Sequence, residues 1–184
     1  PRLLLGATTD ALAVDGFNKH VRDVLSGWRP PAWVTICGPV GTGKTTWLTA
    51  HFNRLAEQGG DWAGAMWTTE SSLFEACDIA HADNGYTARQ KKLRSFCSAP
   101  LLMIDDIGAG RAKLTEWQNA SMRHLFDVRH ANGMPTFLTT NMRGQDAFAN
   151  RYGEHVASRV IQASNGFASL GGPDRRLHDP GRSG

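Results

Sequence analysis

The sequence predicts an α/β fold, a five-stranded parallel sheet covered by helices on both faces, on three observations. Short β-rich apolar segments alternate with helix-like ones along the chain, the pattern of repeated strand-helix-strand crossovers. A glycine-rich segment lies directly between the first strand and the first long helix, and another apolar strand ends in two consecutive acids. Both features put polar chemistry at the C-terminal edge of the sheet, where open parallel sheets hold their ligands.

Residues 15–25 read as a short amphipathic helix, set off from the sheet by Pro30-Pro31. Strands are expected over residues 33–37, 63–68, 101–104, 136–140 and 166–170, the last carrying the weakest pattern. A helix over 44–58 runs to Gly59-Gly60, where two glycines end regular structure at small steric cost. A second helix over 71–80 and a basic one over 87–96 flank the turn dipeptide Asn84-Gly85. Thr115 with Gln118 fits a capping box that opens a helix running to Asn132-Gly133. The segment from Tyr152 to Val160 reads as one further helix.

The 184 residues suit a single domain: a helical lead-in over 1–30, a core over 31–176 and a polar tail over 177–184. With 41% apolar and 20% charged residues a packed core can form, which excludes a disordered chain. The net charge of +3 permits a polyanionic partner but falls short of a dense basic stripe. Cys37, Cys77 and Cys97 are odd in number and lack any CxxC pair, so neither a disulfide framework nor a zinc site is suggested. With no apolar run of about 18 residues and no signal-peptide pattern, a cytoplasmic location is expected.

Gly38-Pro39-Val40-Gly41-Thr42-Gly43-Lys44-Thr45 matches the P-loop pattern and sits where the mechanism demands, after a strand and opening a helix. The backbone amides of such a loop, continuing to Thr46, curl around phosphate oxygens at a helix N-terminus. Lys44 would reach the β- and γ-phosphates of ATP, and the Thr45 hydroxyl would ligate Mg²⁺. Leu101-Leu102-Met103-Ile104-Asp105-Asp106 has the form of a Walker B strand. Asp105 would hold the Mg²⁺ shell and Asp106 would polarise the attacking water. Aspartate is one methylene shorter than the glutamate common at that position, which points to slow hydrolysis.

Asn141, at the tip of the strand Thr136-Phe137-Leu138-Thr139-Thr140, fits two readings: a residue that ends a strand, or a carboxamide that orients the lytic water and senses the γ-phosphate. Arg159 is, on the residues alone, a surface arginine on a helix; set against a neighbouring subunit's γ-phosphate it would stabilise developing charge. Tyr86, Arg89, Lys91, Lys92 and Arg94 make a basic stretch with one aromatic, equally a solvated helix face and a surface for single-stranded DNA, with cations on phosphates and Tyr86 stacked on a base.

The P-loop, the Leu-Leu-Met-Ile-Asp-Asp-Ile-Gly strand, Thr139-Thr140-Asn141, the Tyr152-Gly153-Glu154 to Ser158-Arg159 segment and Gly171-Gly172-Pro173-Asp174-Arg175-Arg176 together resemble, in order and spacing, the DnaC/DnaI helicase-loader family of AAA+ ATPases. That resemblance implies a sheet in the order 5-1-4-3-2 and ATP-bridged assembly side by side. It implies Asn141 as sensor 1, Arg159 as an arginine finger acting in trans and Arg175 as the sensor 2 residue, with Arg176 the alternative. It also implies single-stranded DNA and a replicative DNA helicase as partners. The expected function is an ATP-hydrolysing DNA replication protein that loads a helicase. The alternatives are an IstB-like transposition helper, a nucleotide-gated interaction module with little hydrolysis, and a small-molecule phosphotransferase.

Overall fold

β1 (Val34–Cys37) is buried at every position, as a central strand covered on both faces must be. The computed structural model describes residues 15–16, 18–57, 62–110, 113–164 and 167–174. Around β1 are α1 (Lys19–Gly27), α2 (Lys44–Glu57), β2 (Met66–Thr69), α3 (Glu70–Ser98), β3 (Leu102–Ile107), α4 (Glu116–Ala131), β4 (Thr136–Thr140), α5 (Gly144–Tyr152), α6 (Glu154–Ser164) and β5 (Ala168–Ser169). The strands form one sheet in the order β2-β3-β4-β1-β5, all neighbours parallel, the order that the family resemblance implies.

Alternation along each strand sends successive side chains to opposite faces. Leu102, Ile104 and Leu138 pack under α3 to α6 with Phe126, Phe148 and Val160. Leu101, Met103, Phe137, Val34 and Ile36 pack under α1 and α2 with Trp28, Trp47 and Leu48. Arg129, fully buried near the end of α4, fastens the first layer: its guanidinium donates to Thr136 Oγ1 and to the carbonyls of Phe96, Cys97, Ala99 and Pro135 at 2.6–3.2 Å.

Several boundaries differ from expectation, each for a local reason. β2 begins at Met66 rather than residue 63, because Gly64 (φ 87) and the Ala65 N–H bond to Trp62 O hold a turn there. β3 runs past Ile104 through both acids to Ile107. The first helix starts at Lys19, after Asp15 and Asn18 bond reciprocally to each other's amides at 2.9 and 3.1 Å. The two helices expected around Asn84-Gly85 are joined in α3 across a kink at Gly85, whose φ of 74 and ψ of −166 are non-helical. The single helix expected from Tyr152 to Val160 is instead two: Tyr152 ends α5, Gly153 (φ 88) breaks the helix, and α6 restarts at Glu154. The capping box of Thr115 and Gln118 is formed. Gly59-Gly60 lies outside the described residues, as do Arg175 and Arg176.

All three cysteines are free and buried. Among the described residues no helix is long and apolar enough to cross a membrane.

His51 on α2 is fully buried between the rings of Trp28 and Phe137, at centroid distances of 5.6 and 5.2 Å. Neither ring nitrogen has a hydrogen-bond partner among the described residues. Burial, helped by the charge of Arg54, pulls its pKa from 6.5 down to about 3. The unfolded chain takes up this proton well before the folded one does. Stability is therefore full above pH 6.5 and falls through the window down to about pH 3, by at most about 1.4 kcal/mol per pH unit from this group. Urea midpoints measured from pH 7 to 4 should drop more steeply for the wild type than for His51→Phe; superimposable pH dependences would contradict this.

Candidate nucleotide site

β1 delivers the chain to Gly38 at the C-terminal edge of the sheet, where a Cβ would sit 2.0 Å from the carbonyl oxygen of Leu170. Only glycine fits so close to the segment leaving β5. Gly41 and Gly43 take φ values of 80 and 94, the left-handed backbone that lets a loop curl its amides around an anion. At Gly41 the carboxylate of Asp174 lies against the loop, with its carbon 2.0 Å from where a Cβ would be. The Thr42 hydroxyl closes the loop onto Pro39 O at 2.9 Å.

Lys44, the first residue of α2, is buried, and its ammonium donates to Gly38 O (3.0 Å), Pro39 O (2.8 Å) and Asn141 Oδ1 (2.7 Å). The Thr45 hydroxyl lies 2.9 Å from both oxygens of Asp105. Asp105, also buried, accepts a second short bond from the Thr139 hydroxyl. That hydroxyl in turn accepts from the Asp106 amide at 2.8 Å. The β3–β4 register shifts between Ile104 and Ile107, and Asp106 takes a φ of 55. Such a bulge re-aims a side chain at a strand end. Asp106 is consequently exposed beside the buried Asp105, and its carboxylate accepts from Asn141 Nδ2 at 2.9 Å.

A cavity of about 270 Å³ is lined by Val40, Gly41, Gly43, Lys44, Thr45, Thr46, Asp105, Asp106, Thr139 and Asn141. The structure therefore brings together the P-loop, both acids and Asn141 on three neighbouring strand tips. The cavity's lining suits a magnesium-bound phosphate: a cation beside a hydroxyl and a carboxylate that touch each other, with hard oxygen ligands for the ion.

Thr139 belongs to this cluster and sequence reasoning missed it, although a hydroxyl two residues before Asn141 was a usable signal. Glu70, Arg151 and Tyr152 were missed as well. Glu70, buried at the start of α3, accepts from Gly108 N (3.1 Å), Arg151 Nη2 (3.1 Å) and the Tyr152 hydroxyl (2.6 Å). Burial and then the Glu70 charge push the Tyr152 pKa up. Burial opposes the Arg151 charge, but bonds to Tyr152 and Glu70 outweigh it and raise its pKa.

The remaining predicted residues that are described lie away from the cavity. Arg159 is on α6 with its Nε 3.5 Å from Asp127 Oδ1, and His155 Nε2 is 2.7 Å from the same oxygen. Tyr86 is 66% exposed just after the Gly85 kink, and Lys91 and Arg94 are exposed. Lys92 is half-buried with its ammonium 5.4 Å from the Phe96 ring. Arg89 departs from the expected DNA face: it pairs with Asp78 and stacks 3.4 Å over Trp117, so its charge is spent within its own protein.

The sheet order, with a glycine loop after β1, acids on β3 and an asparagine at the β4 tip, belongs to a fold shared with solved helicase-loader and replication-initiator structures. The solved DnaC helicase loader is similar to it with a TM-score of 0.71 and 20% identity, over 92% of this chain and 99% of that one. The replication initiator DnaA bound to AMPPCP and single-stranded DNA matches with a TM-score of 0.65 and 20% identity, over 89% of this chain and 49% of that one. In sequence, a protein of Mycobacterium tuberculosis named for ATP binding in an insertion sequence is 27% identical over 158 residues, 82% of this chain. The chain spans 58% of the length of that relative. No family model matches the chain.

Proposed function

We propose that the protein binds and hydrolyses ATP with Mg²⁺ and couples that cycle to DNA, as a loader that grips single strands and delivers a replicative helicase. The observation that carries the nucleotide half is the contact of the Thr45 hydroxyl with both oxygens of Asp105 at 2.9 Å, beside the buried Lys44. In this reading Lys44 leaves its resting acceptors for the β- and γ-phosphates, while Thr45 and Asp105 hold the magnesium. The ion, when bound, would neutralise phosphate charge. Asn141, already bonded to both Lys44 and Asp106, would orient the water that Asp106 polarises.

Lys44→Ala should abolish binding of a fluorescent ATP analogue. Asp106→Asn should keep binding within about threefold yet lose 10²-fold or more in turnover. Equal turnover in Asp106→Asn and wild type would remove Asp106 from catalysis.

Arg159 is proposed to act on a neighbouring subunit's nucleotide, supported by its half-exposed place on α6, outside its own cavity. Arg159→Ala protein should bind ATP normally and, mixed with wild type, suppress wild-type turnover. Full activity of the pure variant would reject this role.

Tyr86, Lys91, Lys92 and Arg94 remain the proposed DNA face, without Arg89. Replacing Lys91, Lys92 and Arg94 with alanine should weaken binding of single-stranded DNA and flatten its salt dependence while ATP binding survives. Unchanged DNA affinity would acquit the segment.

The insertion-sequence relative favours a second reading, a helper ATPase that presents target DNA to a transposase. Turnover stimulated by single strands over duplex supports the loader; the reverse preference supports the helper.

A further inference from the structure

Asp106 opens a turn that is held from outside the nucleotide cavity. Its carbonyl accepts from Ala109 N at 3.2 Å, and Gly108 within the turn has a φ of 80. The Gly108 amide donates to Glu70, which is not among the residues that line the P-loop cavity. Arg151 holds the turn's outer end by donating to Gly110 O at 2.8 Å, and it closes the ring by pairing with Glu70 at 3.1 Å. Tyr152 donates to the other carboxylate oxygen of Glu70 and accepts from Arg151 Nε at 3.2 Å. Three elements thereby meet on one buried carboxylate: the β2–α3 junction, the turn after β3, and the C-terminal end of α5, one residue before α6 begins.

A buried acid with both oxygens engaged can be a plain structural pair. Two features argue for more. Asp106 is held in a left-handed φ of 55, uncommon for a non-glycine residue, and Glu70 anchors the amide of Gly108, two residues further along the same turn. Asp106 and Glu70 also line one cavity of about 520 Å³ with Arg151, so the solvent side of Asp106 is shaped by this cluster.

We propose that Glu70 is a positioning residue for ATP hydrolysis, which through the Gly108 amide fixes the turn that aims Asp106 at the attacking water. Arg151 and Tyr152 make that aim depend on where the α5–α6 pair sits. This rests on the ATPase reading above, with Asp106 as the group acting on water.

The test is turnover and nucleotide affinity of wild type, Glu70→Gln, Tyr152→Phe, Asp106→Asn and the Glu70→Gln/Asp106→Asn double variant, with thermal melts of each. Glu70→Gln keeps the shape and one acceptor for Gly108 but loses the charge. It should lower kcat at least tenfold while KM and the affinity for a fluorescent ATP analogue stay within about twofold. Tyr152→Phe, which deletes a single hydroxyl, should fold normally and lose kcat two- to fivefold. In the Asp106→Asn background Glu70→Gln should cost nothing further, because the group it positions is gone. A merely structural role predicts instead equal losses in both backgrounds, or losses of affinity that follow the melting temperature, and either overturns the proposal. Unchanged kcat in Glu70→Gln and Tyr152→Phe overturns the positioning role alone. A wild type that binds no ATP overturns the ATPase reading and this role with it.

Discussion

The site depends on β4 lying between β1 and β3 in a sheet whose strands all run the same way. Parallel strands end at one edge, and neighbours stand about 4.8 Å apart, so the tips of β1 and β3 are separated by only about 10 Å with the β4 tip between them. That spacing lets Lys44 reach Asn141 and lets Asn141 reach Asp106. It also places Thr139 where its hydroxyl bonds to both consecutive acids of β3, the carboxylate of one and the amide of the other. The bulge at the end of β3 divides their work: Asp105 stays buried against Thr45, and Asp106 is turned out.

The two apolar layers carry these tips, and Arg129 inside the first layer is well matched. Arg129 places one cation where four backbone carbonyls and a hydroxyl converge, tying the end of α3 and the entry to β4 onto α4. Burial lowers its pKa to about 10, which leaves it charged at neutral pH. The second layer contains the contrasting case of His51, kept neutral by the same desolvation without any bonded partner among the described residues. Both follow from the cost of burying charge, met in one place by hydrogen bonds and in the other by losing the proton.

Much of this was legible in the sequence where the signal is local. The P-loop is eight contiguous residues between a strand and a helix, and the Thr115 capping box is complete within four. Strand alternation located all five strands to within a few residues. The sheet order is set by pairings between distant segments, and it came only from the family resemblance. Glu70 was illegible for the same reason, since its partners lie 38 and 82 positions away. Gly153 was visible, yet the segment from Tyr152 to Val160 was read as one helix, across the break that its positive φ makes. Arg89 shows the opposite case, a charge that looked free in sequence and is paired with Asp78 and stacked on Trp117 once α3 bends at Gly85.

The central claim is that Lys44 and Asp105 meet on one magnesium-bound triphosphate. Calorimetric titration of ATP into the wild type and Asp105→Asn, each with magnesium and with EDTA, tests it most directly. The account predicts binding by the wild type that weakens at least tenfold without magnesium, and an Asp105→Asn protein whose weaker binding is indifferent to the ion. Wild-type affinity that ignores magnesium, or an Asp105→Asn protein that responds to it fully, would contradict the account.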